Sequence, residues 1–444
     1  MNKAKTSQDG LYQRLRHELG NIWLVDAHEH LCTEEQWLAQ ENNAISSFLG
    51  YALTDLVCAG MPKEVLLSSA GADDQWEQTR SFWCYVRNTG AGSLCRRALS
   101  LFCDVEDLND STIAIVREKY ANLREPGIYR QLLDEYKITV CLNVWDPFEK
   151  DPASEYFAPL VYSAKCALVQ KRSDIQMLER ATNEEIYSLK TYLQALDTLL
   201  EQKLREGYVG IKWHVLAYLR DIHYPIEDAH SADKCLDRIL RMPAQGGIAS
   251  DTPVGFDEMR PFQNLIQHHL VQRAIDMDWP VQIHTGILGG SYGAQITHTN
   301  PTHLVDLFLR YPQARFDLLH ASYPYMRELT ALAKLFPNVY INMAWFDILS
   351  PRAARQYLRE WITSVPINKL FAFGADQWSI LLSCAYAEMV RDNLAEVLAE
   401  EVAEGGISEE YAVDIATCML RQNAWEYFKL QDHWAGRQQR SIPN

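Results

Sequence analysis

The chain has 444 residues, 48% of them hydrophobic and 23% charged, with a formal net charge of −16 and a pI near 5.3. Such acidity argues against a surface built to meet phosphates, so nucleic acid is not an expected partner. No apolar run approaches the length needed to cross a bilayer, whereas a small-molecule substrate, even an anionic one, stays compatible because a pocket can differ in sign from the whole. The length suits one large domain with insertions, or two domains. The opening segment is polar and reads as the start of a helix rather than a secretory signal. Ten cysteines lie scattered without a C-x-x-C pair. Together these predict reduced thiols and a cytoplasmic location.

The first strand is expected in "IWLVDAHEHL", where apolar Ile22 to Val25 give way to Asp26, His28 and His30. Strand side chains alternate with a period of two, so His28 and His30 share a face if the strand continues through them. The next long stretch has helical patterns such as "STIAIVREKYANL" and "GIYRQLLDEY"; it reads as a helical insertion, about 32–136, lying over the top of the fold. "ITVCLNVW" and "FAPLVYSA" are expected strands. From about residue 205 strands and helices alternate with short links: "GYVGIKWHV", "WPVQIHTG", "ARFDLLHA", "VYINMAW" and "NKLFAFGADQW" as strands, separated by segments of helical spacing. Asn300 and Ser350 are N-cap candidates, the latter with Pro351 behind it. A stretch around 215–255 is expected as a loop, and "SEEYAVDIATCMLRQNAWEYFKL" as a closing helix.

Eight strands with helical crossovers predict a (β/α)8 TIM barrel, with a helical insertion after strand 1 and a C-terminal helix, over 1–444. An open doubly wound sheet is the alternative, but no Gly-rich phosphate fingerprint comes after the first strand.

Polar residues recur at the strand ends. Strand 1 ends in His28 and His30, strand 4 carries Lys212 and His214, strand 5 ends in His284, strand 6 in His320 and strand 8 in Asp376. Taken singly, a strand-end His is most simply a hydrogen-bonded structural residue, and Asp376 a helix N-cap. Their recurrence at one end of the barrel, where separate strands converge, points instead to a metal site. Imidazole and carboxylate suit Zn first, with Mn, Fe or Co as alternatives. Asp376 is the candidate proton carrier between water and leaving group. His320 is the candidate for polarising a carbonyl or stabilising an oxyanion. Lys212 either binds an anionic substrate group or carries a carbamate that bridges two metal ions.

This order of residues resembles the amidohydrolase superfamily, and within it the amidohydrolase-related branch. "VGIKWHVLAYLRDI", "VQIHTGILGG", "FDLLHASYPYMRELTALAKLFPNVYIN" and "LFAFGADQW" are similar to that branch's domains, including those fused to glutamine-synthetase-like domains. The resemblance implies His28, His30, His284 and Asp376 as metal ligands, with Asp376 also the base. It implies hydrolysis of an amide, ester or lactone-type bond in a small molecule by metal-activated water. A looser likeness to uronate isomerases rests on the insertion, on Trp345 after strand 7 and on "QNAWEYFKL"; it implies a sugar-acid isomerase as the alternative, and the related metal-dependent decarboxylases a non-oxidative lyase. Barrels of this kind often form homo-oligomers.

Four residues are candidates for substrate binding. Arg220, just after strand 4, and Arg87, in the insertion's "SFWCYVRNTG", could each grip a carboxylate through a planar fork. Tyr323 lies on the loop after His320, and Trp345 could wall the pocket together with Trp378. Trp83 is assigned to the insertion's own core, and His268 and His269 to a solvent-facing helix.

Overall fold

The computed structural model describes residues 2–40, 44–64, 72–149, 155–214, 219–242, 253–290 and 294–431. Eight strands form one parallel sheet in sequential order: β1 (Leu24–Glu29), β2 (Ile138–Trp145), β3 (Phe157–Tyr162), β4 (Gly210–Trp213), β5 (Val281–Ile283), β6 (Phe316–Leu318), β7 (Val339–Asn342) and β8 (Leu370–Phe371). Main-chain hydrogen bonds just beyond β8 bring the sheet back to β1. Ala27 N–H donates to Phe373 O at 3.0 Å, and Asp376 N–H to His28 O at 3.0 Å. The expected (β/α)8 barrel is therefore the fold.

The strands are apolar on both faces because one face meets helices and the other fills the barrel. Alternate residues of the early strands (Val25 and Ala27, Val140 and Leu142, Ala158 and Leu160) join Tyr427 and Phe428 of the closing segment in one apolar cluster. That segment runs as Glu409–Thr417, a wider turn over Cys418–Gln422, and Asn423–Tyr427. Ser408 caps it by accepting from Tyr411 N–H, and Arg421 ties it down by donating to Trp23 O and Thr139 Oγ1.

Between β1 and β2 lie helices Glu34–Ala39, Ala44–Leu49, Ala52–Cys58, Ala72–Val86, Gly90–Cys103, Ile113–Leu123 and Ile128–Glu135. The turn joining Ala44–Leu49 to Ala52–Cys58 carries Gly50 and Tyr51 over the strand ends. Helix Gly90–Cys103 packs so closely on the segment after β7 that a Cβ on Gly90 would stand 2.1 Å from Ile348 O. The opening helix, Asn2–Asn21, packs on the long helix Ile380–Ala403, whose buried Arg391 donates to Leu19 O, Ile22 O and Tyr136 O.

The stretch 215–255 is not all loop: helix Ala229–Leu240 lies within it. Asp228 caps it by accepting from Ser231 N–H at 2.9 Å, and Ala232, Leu236 and Ile239 form its buried stripe at helical spacing. A single apolar stripe beside a Gly- and Pro-rich run was too little signal against loop composition. Residues 215–218 and 243–252 of that stretch lie outside the described residues. All ten cysteines are free, and no described helix is long and apolar enough to cross a membrane.

Candidate active site

Strained backbone marks the C-terminal ends of the last three strands. His320, Ala321 and Ser322 after β6, Trp345 after β7 and Asp376 after β8 all have positive φ, between 50° and 66°. Each such non-glycine residue costs on the order of 1–3 kcal/mol, held only where the surroundings over-determine it. Asp376 is fixed by its own N–H on His28 O and by its neighbour: Ala375 N–H donates to Asp26 Oδ1 at 3.1 Å, the same oxygen that accepts from His28 N–H at 3.2 Å. Glu29 makes a second bracket, accepting from His30 N–H (2.9 Å), Gln377 N–H (2.5 Å) and Ser383 Oγ (2.7 Å). Two buried carboxylates thus hold strand 1 against the end of strand 8, and burial pushes both of their pKa values up.

The strand-end residues converge. Asp376 Oδ1 lies 3.5 Å from His28 Nε2 and 3.3 Å from His30 Nε2, and Lys212 Nζ lies 3.3 Å from His28 Nε2. Although β1 ends at Glu29, the His28 and His30 rings are 4.9 Å apart. His284 and His320 meet at 3.1 Å through Nδ1 and Nε2. His28, His320 and Asp376 form a group whose ligand atoms all lie within 4.8 Å of one another, a geometry that could hold a metal ion. His320 was expected to polarise a carbonyl; its position places it beside the ligand atoms.

Hydrogen bonds decide which ring nitrogens carry the proton. Gln282 Nε2 donates to Ala27 O (2.7 Å) and Asp317 Oδ2 (2.8 Å), which leaves Oε1 facing His28 Nδ1 at 2.9 Å. His28 therefore carries its proton on Nδ1, and its Nε2 lone pair faces Lys212 Nζ at 3.3 Å and lies 3.5 Å from Asp376 Oδ1. His320 Nδ1 donates to Ala344 O at 3.0 Å, and His284 Nε2 to Ile287 O at 2.9 Å. The nitrogens left facing each other, His320 Nε2 and His284 Nδ1, are then both lone pairs. Burial lowers the pKa of every one of these imidazoles, taking His30 to about 3 and the others well below the ordinary value, with Lys212 adding to the effect. Protonation is thus disfavoured where several lone pairs and a carboxylate converge. That donor set fits a divalent cation, with the histidines already in their ligating, neutral form.

Lys212 is fully buried, and burial lowers its pKa to about 7 against the pull of Asp376 and Asp317. Burial raises Asp376 to about 7; Lys212 and a hydrogen bond from Tyr51 act in the opposite direction.

A cavity of about 440 Å3 opens above this group, a volume suited to a small molecule. His30, His214, His284 and Asp376 form its polar floor, while Tyr51, Trp345 and Trp378 wall it. Lys212 and His320 lie beneath that lining. Arg220 is buried elsewhere, donating to Asp221 O, Gln263 Oε1 and His223 O, and Arg87 pairs with Asp107 at 2.6 Å. Neither arginine lines the cavity, nor does Tyr323, whose ring packs near Phe346. Sequence reasoning missed Tyr51, which no periodic pattern marks, and gave His214 no role. His214 sits 4.8 Å from His284 by ring centroids, with Nδ1 3.4 Å from Tyr162 Oη. Its signal was present: His214 comes two residues after Lys212, the spacing that puts two strand residues on one face.

Residues 224–430 match the family profile described as amidohydrolase. The chain is 28% identical over 229 residues to protein fluG of Emericella nidulans, a match covering 50% of this chain and 26% of that protein, so only about a quarter of that relative's length is spanned. It is 21% identical over 436 residues to a uronate isomerase of Thermotoga neapolitana, covering 89% of this chain and 92% of that protein. The crystal structure of a uronate isomerase from Thermotoga maritima superposes with a TM-score of 0.78 at 18% identity, covering 94% and 97% of the two chains. At that identity the likeness is one of fold.

Proposed function

We propose that this chain, with its amidohydrolase-superfamily fold and its resemblance to uronate isomerases, is a metal-dependent hydrolase of a small molecule. The observation that carries the reading is the cavity floor. Asp376, the one carboxylate among the described lining residues, stands within 3.5 Å of two histidine nitrogens, and no arginine or lysine is among those residues. A sugar acid's carboxylate would find no arginine or lysine among those residues, and its one cationic partner there would be the ion that the attacking water needs.

His28, His30, His284, His320 and Asp376 would hold the ion, most simply Zn, with Mn, Fe or Co also suited to imidazole and carboxylate. Such an ion, when bound, supplies a water acidic enough to lose its proton near neutral pH. Asp376 would take that proton and return it to the leaving amine or alkoxide. The Tyr51 hydroxyl steadies the carboxylate from the insertion side. His214, with Nδ1 3.4 Å from Tyr162 Oη, lines the floor and would meet the developing oxyanion. The full burial of Lys212 supports the carbamate role over anion binding.

Likeness to uronate isomerases over nearly the whole chain supports a second reading, a sugar-acid isomerase. A three-way assay separates the possibilities: new carboxylate from amides, esters and lactones, aldose–ketose interconversion of D-glucuronate, and CO2 release from aromatic acids. Carboxylate formation alone is the expected result. Interconversion of glucuronate without hydrolysis would replace this reading with the isomerase.

A further inference from the structure

We infer that the outer half of the cavity is a slot for a planar, uncharged ring, so that the substrate joins such a ring to the bond being cut. The inference rests on the hydrolytic reading for what happens at the floor, but not for what binds above it.

Three aromatic side chains from three separate parts of the chain line one side of the cavity, from Trp345, buried beside His320, through Tyr51 to the exposed Trp378 at the mouth. The Tyr51 ring, from the insertion, lies 4.2 Å from Trp345 at an interplanar angle of 33° and 4.7 Å from Trp378 at 59°. Together they make a continuous π wall with one near-stacked pair and one tilted edge. A flat ring meets such a wall by offset stacking on one member and edge-on contact with another. Trp378 is 44% exposed. A ligand at the mouth would cover it.

The loop after β5 is trimmed to fit. A Cβ on Gly289 would stand 2.8 Å from Trp345 Cη2 and 2.9 Å from Tyr51 Cε1. Any side chain there would displace two stacked rings. Gly290, with φ +69°, lies in the left-handed region and has nothing within 4 Å of a built Cβ. Glycine at 289 leaves the two rings in place, whereas at 290 the positive φ rather than the space calls for glycine. Of the described lining residues, the remaining neighbours above the floor are Gly50, Leu53 and Thr54, which bring no charge. A carboxylate or ammonium on the ring would therefore be desolvated without a partner.

The test is binding, read by calorimetry on the purified full chain, with three probes that share an amide: benzamide, cyclohexanecarboxamide and 4-carboxybenzamide. Benzamide is expected to bind about two- to tenfold more tightly than cyclohexanecarboxamide, the range that aromatic pairing adds beyond buried area. It should also exceed 4-carboxybenzamide by at least that margin. Trp378→Ala should erase the preference for the flat ring. Gly289→Val, once circular dichroism shows it folded, should bind none of the three. Equal binding of the flat and puckered rings, tighter binding of 4-carboxybenzamide, or no binding of benzamide would each overturn the slot. Turnover is not needed for any of these readings, so a failure of hydrolysis leaves this test intact.

Discussion

His284 Nδ1 and His320 Nε2 stand 3.1 Å apart, and the other nitrogen of each ring is committed to a main-chain carbonyl. Two neutral imidazoles so arranged present lone pair to lone pair. Adding a proton would relieve the contact, but burial lowers both pKa values far enough to oppose that. A cation shared with Asp376 and His28 relieves it without protonation. The strained backbone at His320 and Asp376 is consistent with residues held for ligand geometry rather than for stability.

Gln282 should control metal affinity without touching metal. It fixes the tautomer of His28 by accepting from Nδ1, and is itself fixed by Ala27 O and Asp317. Gln282→Leu removes that acceptor while keeping most of the volume. Metal affinity, read by chelator competition, should fall about 10- to 100-fold. Unchanged affinity would mean that His28 is oriented by packing alone.

Much of this was legible in the sequence. Short apolar runs ending in His, Lys or Asp mark β1, β4, β5, β6 and β8, because parallel strands are buried on both faces and become polar only where they reach the site. The polar support below the site was harder to read. Asp26, Gln282 and Asp317 interrupt apolar strands as polar residues, and only the fold shows that Asp26 ties strand 1 to the end of strand 8 while Gln282, fixed by Asp317, orients His28. Tyr51 arrives on a turn between two short helices, where no period points to a barrel end. Arg87 and Arg220 illustrate the reverse: a planar cation near a strand end in sequence finds Asp107 or main-chain carbonyls in space instead of the cavity.

Tyr51→Phe separates the proton step from metal binding. The change removes one hydroxyl from Asp376 and leaves the ring in the aromatic wall. A lost hydrogen bond to a charged group, about 1.5 kcal/mol at the low end, corresponds to roughly tenfold in kcat. Metal content should stay at the wild-type level. A parallel loss of metal would show that Tyr51 serves the ligand geometry rather than the base.

Asp347, just after Trp345, gives a pH signature away from the ligands. Burial raises its pKa from 3.8 to about 6, with hydrogen bonds from Asn393 and Tyr386 opposing the rise. The folded chain therefore binds this proton more tightly than the unfolded chain does. The resulting stability is fully present below about pH 4 and is lost as pH rises through about 6. Asp347→Asn does not titrate, so in denaturant unfolding the wild type should lose stability relative to the variant across that window. A flat difference, or one of opposite slope, would contradict the assigned burial.

Above all, the strand ends of this barrel should hold a divalent metal. Elemental mass spectrometry of the purified protein, grown with metal supplied and handled without chelator, tests this directly beside a His28→Ala, His30→Ala double variant. Roughly one or two equivalents of a transition metal are expected, absent from the folded double variant; two equivalents would also support a bridging role for Lys212. A wild-type protein that is folded and holds no metal would contradict the metal centre and leave the cavity as a binding site without its nucleophile.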